Sequence, residues 1–385
     1  MGWTNEELEA VDFIMASYIS PFIPGAGERA WGVLVGGAGT GKTELLRAFE
    51  GITRTVYIDH LTENAFCSSY VDPEAPEKDM SLLYRLSRES VPLGPKVLVM
   101  SEMSSFLTMK TEKVAKIFSD LRTAFDGKYS TQAGNKGYRS YDKLGFGLLG
   151  ASTEVFDEFL RRNQTLGERV MICRIARKFS SYEARRAISL HVGRSTNRLK
   201  KDGLRKAIQN IVRDTMKEVL DKIEKEEIGF EDLRTPEMND RLAIMGNIAT
   251  SIRCVPLSDH SYVSTGEVAS RLSQQAHSWG DARVVFDGRD KWDEKDYNLV
   301  KRILQDTMPP ENMRLMQALW RSGGEEAARP MSVSDVASAA RVPQEVASRQ
   351  LHQWTVIGNL VRTQSSYYAL RKAMVDDMVE SGFME

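Results

Sequence analysis

Val33 to Glu44 reads VLVGGAGTGKTE, and within it Gly36, Gly41, Lys42 and Thr43 occupy the fixed places of G-x-x-x-x-G-K-T. That spacing is suited to holding a chain of phosphates. The glycines at 36, 37, 39 and 41 let the backbone curl. Successive N–H groups, those of Ala38 and Thr40 among them, then point inward at phosphate oxygens. Lys42 is placed to reach the β- and γ-phosphates, and the Thr43 hydroxyl to hold Mg²⁺. The expected ligand is ATP with its magnesium ion.

Lys96 to Glu102, KVLVMSE, puts polar residues at the end of four consecutive apolar ones. In P-loop ATPases an acidic residue at such an end holds Mg²⁺, and a second polarises the attacking water. Glu102 is the candidate general base. Ser101 occupies the usual aspartate place, as a candidate contact to the metal. Leu144 to Thr153, LGFGLLGAST, ends in Ser152 and Thr153, either of which could sense the γ-phosphate. Gly167 to Ile175, GERVMICRI, begins with Arg169, which lies away from its own subunit's phosphates but could reach a neighbour's as an arginine finger.

Elements must hold these groups together. The apolar runs at 31–35, 97–100 and 144–153 read as buried parallel strands, whose carboxyl ends carry the ligand in open α/β sheets. Arg54 to Asp59 reads as a further strand and 167–175 as a fifth. Thr40 to Phe49 reads as a helix whose positive end faces the phosphates. Thr4 to Ile19 reads as a packing or lid helix, and Thr111 to Phe125 as an amphipathic one, with Val114, Ile117, Phe118 and Leu121 at helical spacing.

This succession of a phosphate-loop strand, a strand ending S-E, a hairpin, a strand ending A-S-T and then G-E-R-V resembles the AAA+ ATPases. Among these it is most similar to the minichromosome-maintenance (MCM) helicases and the related replicative ATPases of phages, plasmids and mobile elements. The resemblance covers residues 30 to 180 well and the rest weakly. It implies an α/β core, a helical lid, ATP hydrolysis and assembly into a ring, as a hexamer. It puts Glu102 in the second Walker B place, Thr153 in the sensor place and Arg169 in the finger place. Ser101 and Thr153 depart from the family's letters. It also implies a lid arginine that reaches the phosphates, with Arg253 and Arg271 as the candidates.

Residues 126 to 143 place tyrosine-rich arms around Gly134, Asn135, Lys136 and Gly137, which predicts a β-hairpin. Lys136 sits at its tip, with Lys128 and Arg139 on its arms, a combination suited to DNA phosphates and base stacking. The same residues also suit a solvated surface hairpin. Residues 177 to 213 are strongly basic, either a solvated helix face or a phosphate track. After Pro309 and Pro310 come three helical stretches and two short strands, a winged helix-turn-helix pattern. Gln344, Ser348, Arg349 and His352 fall on its third helix. Such a module reads DNA or docks a protein.

The expected domains are an N-terminal helix at 1–27, the ATPase core at 28–180, a helical lid at 181–308 and the winged helix at 309–385. The 385 residues carry a net charge of −1, so any DNA contact must come from local patches. Cys67, Cys173 and Cys254 form no paired motif, which argues against zinc or a disulfide framework and for a reducing compartment. No apolar run is long enough to span a membrane. A cytoplasmic helicase-like motor is the leading expectation, and a nucleotide switch (loader, initiator or regulator) is the alternative. A metabolic kinase is disfavoured, because nothing resembles an acceptor site.

Overall fold

The computed structural model describes residues 5–24, 28–62, 64–67, 81–87, 95–133, 137–142, 144–162, 169–175, 194–228, 230, 233–254, 269–323, 329–364 and 366–384. Helix α1 (Asn5–Ile19) precedes β1 (Trp31–Gly36), the phosphate-loop segment and α2 (Lys42–Leu46), which tightens into a 3₁₀ turn at Arg47–Phe49. The helix expected from Thr40 therefore starts two residues later, because Gly41 takes a left-handed φ of 87°. There follow β2 (Thr55–Ile58), α3 (Leu82–Leu86), β3 (Val97–Met100), α4 (Ser104–Leu107) and α5 (Thr111–Phe125). Then come β4 (Tyr129–Ala133), β5 (Gly137–Tyr141), β6 (Gly147–Ser152), α6 (Val155–Arg162) and β7 (Val170–Ile175).

Five strands form one parallel sheet in the order β2-β3-β6-β1-β7. Alternate residues of each strand face opposite sides. Trp31, Val33, Val35, Leu98 and Ile172 bury against α5 and α6, while Leu34, Val97, Val99, Leu149 and Cys173 join a second core with α1 and the later helices. Gly32 lets α1 lie directly on β1: a Cβ there would come within 2.7 Å of Ser17 Oγ.

The helical region consists of α7 (Arg194–Glu224), α8 (Pro236–Arg253), α9 (Ser270–Phe286) and α10 (Glu294–Thr307). Helix α7 is one long element whose Val212, Met216, Val219 and Ile223 are buried. The basic run thus continues into a packed helix, and its residues 177–193 lie outside those described. Helix α10 covers the free edge of β7. Ile172 N donates to Thr307 Oγ1 at 3.0 Å and Arg174 N to Asp306 Oδ2 at 2.8 Å, so an edge that would otherwise invite strand addition is capped.

The C-terminal part is α11 (Pro310–Gly323), β8 (Met331–Ser332), α12 (Val333–Ala340), α13 (Gln344–Val356), β9 (Leu360–Gln364), β10 (Tyr367–Leu370) and α14 (Lys372–Ser381). Its strands form an antiparallel sheet ordered β8-β10-β9. It shares its apolar core with the helical region. Polar ties join the two parts as well: Asn312 Nδ2 to Ile252 O at 2.7 Å, Gln350 Nε2 to Cys254 O at 2.7 Å, and Tyr297 Oη to Ser381 O at 2.8 Å. Among the described residues no helix is long and apolar enough to cross a membrane.

His277 on α9 is largely buried, and Nε2 has no partner among the described residues. Burial, with the charge of Arg234 adding to it, holds the imidazole down at about 4. The unfolded chain takes up that proton near pH ~6.5. Stability from this group is therefore complete above about pH 6.5 and is lost as pH falls towards about 4, amounting to about 2 kcal/mol at about pH 5. The urea midpoint should drop between about pH 7 and about pH 5, and the drop should be shallower in His277→Gln.

Candidate functional site

The phosphate loop leaves β1 at its carboxyl end. Gly39 and Gly41 adopt φ values of 78° and 87°, which L side chains rarely take, while the space around each is open. There the backbone angle, and not crowding, requires glycine. Gly36 is different: a Cβ on it would lie 2.6 Å from the carbonyl oxygen of Ile175, its partner across the β1–β7 ladder. Inside the loop the Lys42 ammonium donates to Gly36 O at 2.7 Å, Gly37 O at 2.8 Å and Thr40 Oγ1 at 3.0 Å. Lys42 is buried, which pushes its pKa down, while the carboxylates of Glu102 and Glu154 push it back up. Thr43 follows in the first turn of α2, half-buried.

Two neighbouring strand ends complete the edge. After β3 the chain turns across the end of β6: Met103 N donates to Ala151 O at 2.8 Å, and Thr153 N to Ser104 Oγ at 3.0 Å. Ser104 Oγ also lies 3.3 Å from both Ser152 Oγ and Thr153 Oγ1. This crossing carries the exposed Glu102 towards Lys42. Ser101 is buried, and its hydroxyl donates to the Asp59 carboxylate at the end of β2.

The arginines divide. Arg169 stands at the amino end of β7, about 20 Å along the sheet from Gly36, taking about 3.3 Å per residue. Its guanidinium is buried, 3.3 Å from Asp126 and over the Phe125 ring. Arg271 joins it there, 3.2 Å from Glu28 and 3.6 Å from Asp126, over the same ring. Arg271 is thus at the opposite edge from its own phosphate loop, beside Arg169. Arg253 is buried at the end of α8, where α11 and α13 meet it. The helical-region cation that does meet α2 is Arg205 on α7, whose guanidinium clasps Glu44 at 2.8 Å and 3.0 Å, immediately after Thr43.

Of the expected DNA contacts, Lys128 is exposed just before β4, and Arg139 on β5 is half-buried with Nη1 3.2 Å from Ser81 Oγ. Lys136 lies outside the described residues. The hairpin itself is present, with Tyr129 paired to Tyr141 and Ala133 to Gly137. Arg349 is exposed on α13, beside the exposed Ser348 and His352.

Sequence reasoning passed over Asp59 and Glu154, and it read Arg205 only as part of the basic run 177–213. Asp59 directly follows β2 and Glu154 comes two residues after β6, positions that could have drawn attention to them. Arg205 carries no local signal. No protein-family model matches this chain, and no curated protein is similar to it in sequence.

Two glycines give opposite expectations. In Gly36→Ala the obstacle is backbone of a paired strand, which cannot swing aside. Stability should fall by about 1–3 kcal/mol, and nucleotide binding should fall with it. Gly203 is exposed on α7 with nothing within 4 Å of its Cβ position. Gly203→Ala should raise stability by about 0.5–1 kcal/mol through helix propensity alone. Thermal melts of both variants check the pair.

Proposed function

We propose that the chain is an ATP-hydrolysing P-loop enzyme of the AAA+ kind that acts on DNA as a helicase-like motor, in the replication of a phage or mobile element. The carrying observation is the phosphate loop itself: a buried lysine and two left-handed glycines at the carboxyl edge of a parallel sheet, with Glu102 acting on that lysine. In this reading α8 to α10 form the lid, and the C-terminal part is a winged helix whose exposed α13 face offers Arg349 to DNA or to a protein.

In that site the inward N–H groups and Lys42 bind the β- and γ-phosphates. Glu102 takes the proton from the attacking water, and Thr153, held by Ser104, orients towards the γ-phosphate. The candidate ligands, the hydroxyls of Thr43 and Ser101, suit Mg²⁺, which prefers hard oxygens and keeps several waters. Thr43 and Ser101 would hold it, and it would supply neutralisation of the phosphate charge. A ring or hexamer follows from the resemblance, because the finger place, Arg169, lies at the far edge from its own loop.

The second reading is a nucleotide switch that assembles on DNA or a partner without unwinding. Two observations favour it: Ser101 in place of an aspartate, and an Arg169 already engaged by Asp126 of its own chain.

Lys42→Ala should abolish binding of a fluorescent ATP analogue. Glu102→Gln should keep binding and lower turnover by about 10²–10⁴-fold. Strand displacement with ATP, compared between the wild-type chain and Lys136→Ala, separates the readings. Unwinding that the alanine abolishes supports the motor, and DNA-dependent assembly without unwinding supports the switch. A wild-type chain that binds no nucleotide overturns both.

A further inference from the structure

The place where a P-loop ATPase carries its metal-directed carboxylate is held here by Ser101, and the question is what supplies the missing charge. Four carboxylates come into question, Glu44 on α2 and Glu102, Glu154 and Asp59 after strand ends. Glu44 is clasped by Arg205. Glu102 and Glu154 act on Lys42. The fourth, Asp59, comes from a different strand. Parallel pairing of β2 with β3 sets Ile58 beside Met100, so the next residues, Asp59 and Ser101, leave the sheet side by side. Ser101 N donates to Ile58 O at 3.2 Å, and the Ser101 hydroxyl donates to Asp59 Oδ1.

A hydroxyl has one proton. With that proton committed to Asp59, the Ser101 oxygen can turn only lone pairs to anything else, as a carboxylate oxygen does. The pair also lies on the side of the sheet that faces α2. Tyr57, two residues before Asp59, packs with Leu45 and Leu46 of α2 on one core. Arg47 stands one turn beyond Thr43 on the same helical face.

We propose that Asp59 and Ser101 act as one unit that replaces the missing aspartate: Asp59 carries the negative charge, and the Ser101 oxygen presents it to the magnesium ion's hydration shell. Asp59 is thereby a positioning residue that works through Ser101. The proposal rests on the reading of the loop as an ATP site. It differs from that reading in assigning the metal's counter-charge to a strand that the phosphate-loop motifs do not include.

The test measures binding rather than turnover. Mn²⁺ affinity of the protein in the presence of a non-hydrolysable ATP analogue is read by electron paramagnetic resonance, and analogue affinity in EDTA by fluorescence. Asp59→Asn keeps an acceptor for the Ser101 proton and removes only the charge. It should weaken Mn²⁺ by about 10–100-fold, the usual cost of losing an outer partner of a metal contact, with analogue affinity in EDTA unchanged. Adding Ser101→Asp to Asp59→Asn should restore Mn²⁺ affinity, because the carboxylate then stands at the end of β3. Wild-type Mn²⁺ affinity in Asp59→Asn overturns the proposal while leaving the ATP site intact. So does a loss that Ser101→Asp does not repair. A wild-type chain that binds no analogue, with or without metal, overturns the ATP site and this proposal together.

Discussion

Every strand of the main sheet runs the same way, and that constraint decides what the molecule can do. Five parallel strands deliver five carboxyl ends to one edge, so the phosphate loop, Ser101 with Glu102, Ser152 with Thr153, and Asp59 all arrive together. The order of the strands then sets the spacing. Because β6 lies between β1 and β3, the chain leaving β3 must cross the end of β6 before Glu102 can approach Lys42. Met103 and Ser104 make that crossing with hydrogen bonds to Ala151 and Thr153. The amino edge receives the complement, with Arg169 and Arg271 gathered on Phe125 and Asp126. The same parallel run brings Gly36 against Ile175 and makes glycine obligatory where the loop begins.

Features whose cause is local were legible in the sequence. A buried parallel strand is apolar on both faces, so VLVM and GLLGAS announce themselves. The phosphate loop depends on residues within eight positions of one another. Helix α5 shows its period, and α12 shows its cap, since Ser332 Oγ accepts from Asp335 N. The groups that carry no such signal are the ones assembled by distant pairing. Ser101 meets Asp59 across 42 positions, and Arg205 meets Glu44 across 161. Choosing Arg253 or Arg271 as a lid cation required knowing which edge of the sheet each would reach, and composition does not encode that. The two-residue β8 and the late α14 are too short or too weakly punctuated to stand out from their neighbours.

The helices of the second core hold to the rest of the molecule in different ways. Helices α1, α9 and α10 join the sheet through continuous apolar packing, with Phe13, Trp279, Val300 and Leu304 fully buried. Packed cores of that kind shift between discrete arrangements only at considerable cost. Helix α7 adds polar ties to its apolar contact with α2 and the turn after it. Arg205 clasps Glu44, Gln209 Nε2 donates to Arg47 O at 3.0 Å, and Arg54 pairs with Glu224 farther along. Glu44, Arg205 and Glu224 are at least partly open to solvent.

Solvent-accessible ion pairs contribute little to stability, on the order of 0.2–1 kcal/mol each, and can be exchanged without opening a core. Glu44 is the residue after Thr43, so a displacement of α2 reaches these polar ties. Helix α7 also buries Val212, Met216 and Val219 in the core that holds Leu46, Phe49 and α8, and α8 in turn carries the C-terminal part through Ile252 and Cys254. Helix α7 therefore rests on the turn after α2 by both apolar and polar contact, while α9 and α10 hold to α1 and the sheet directly.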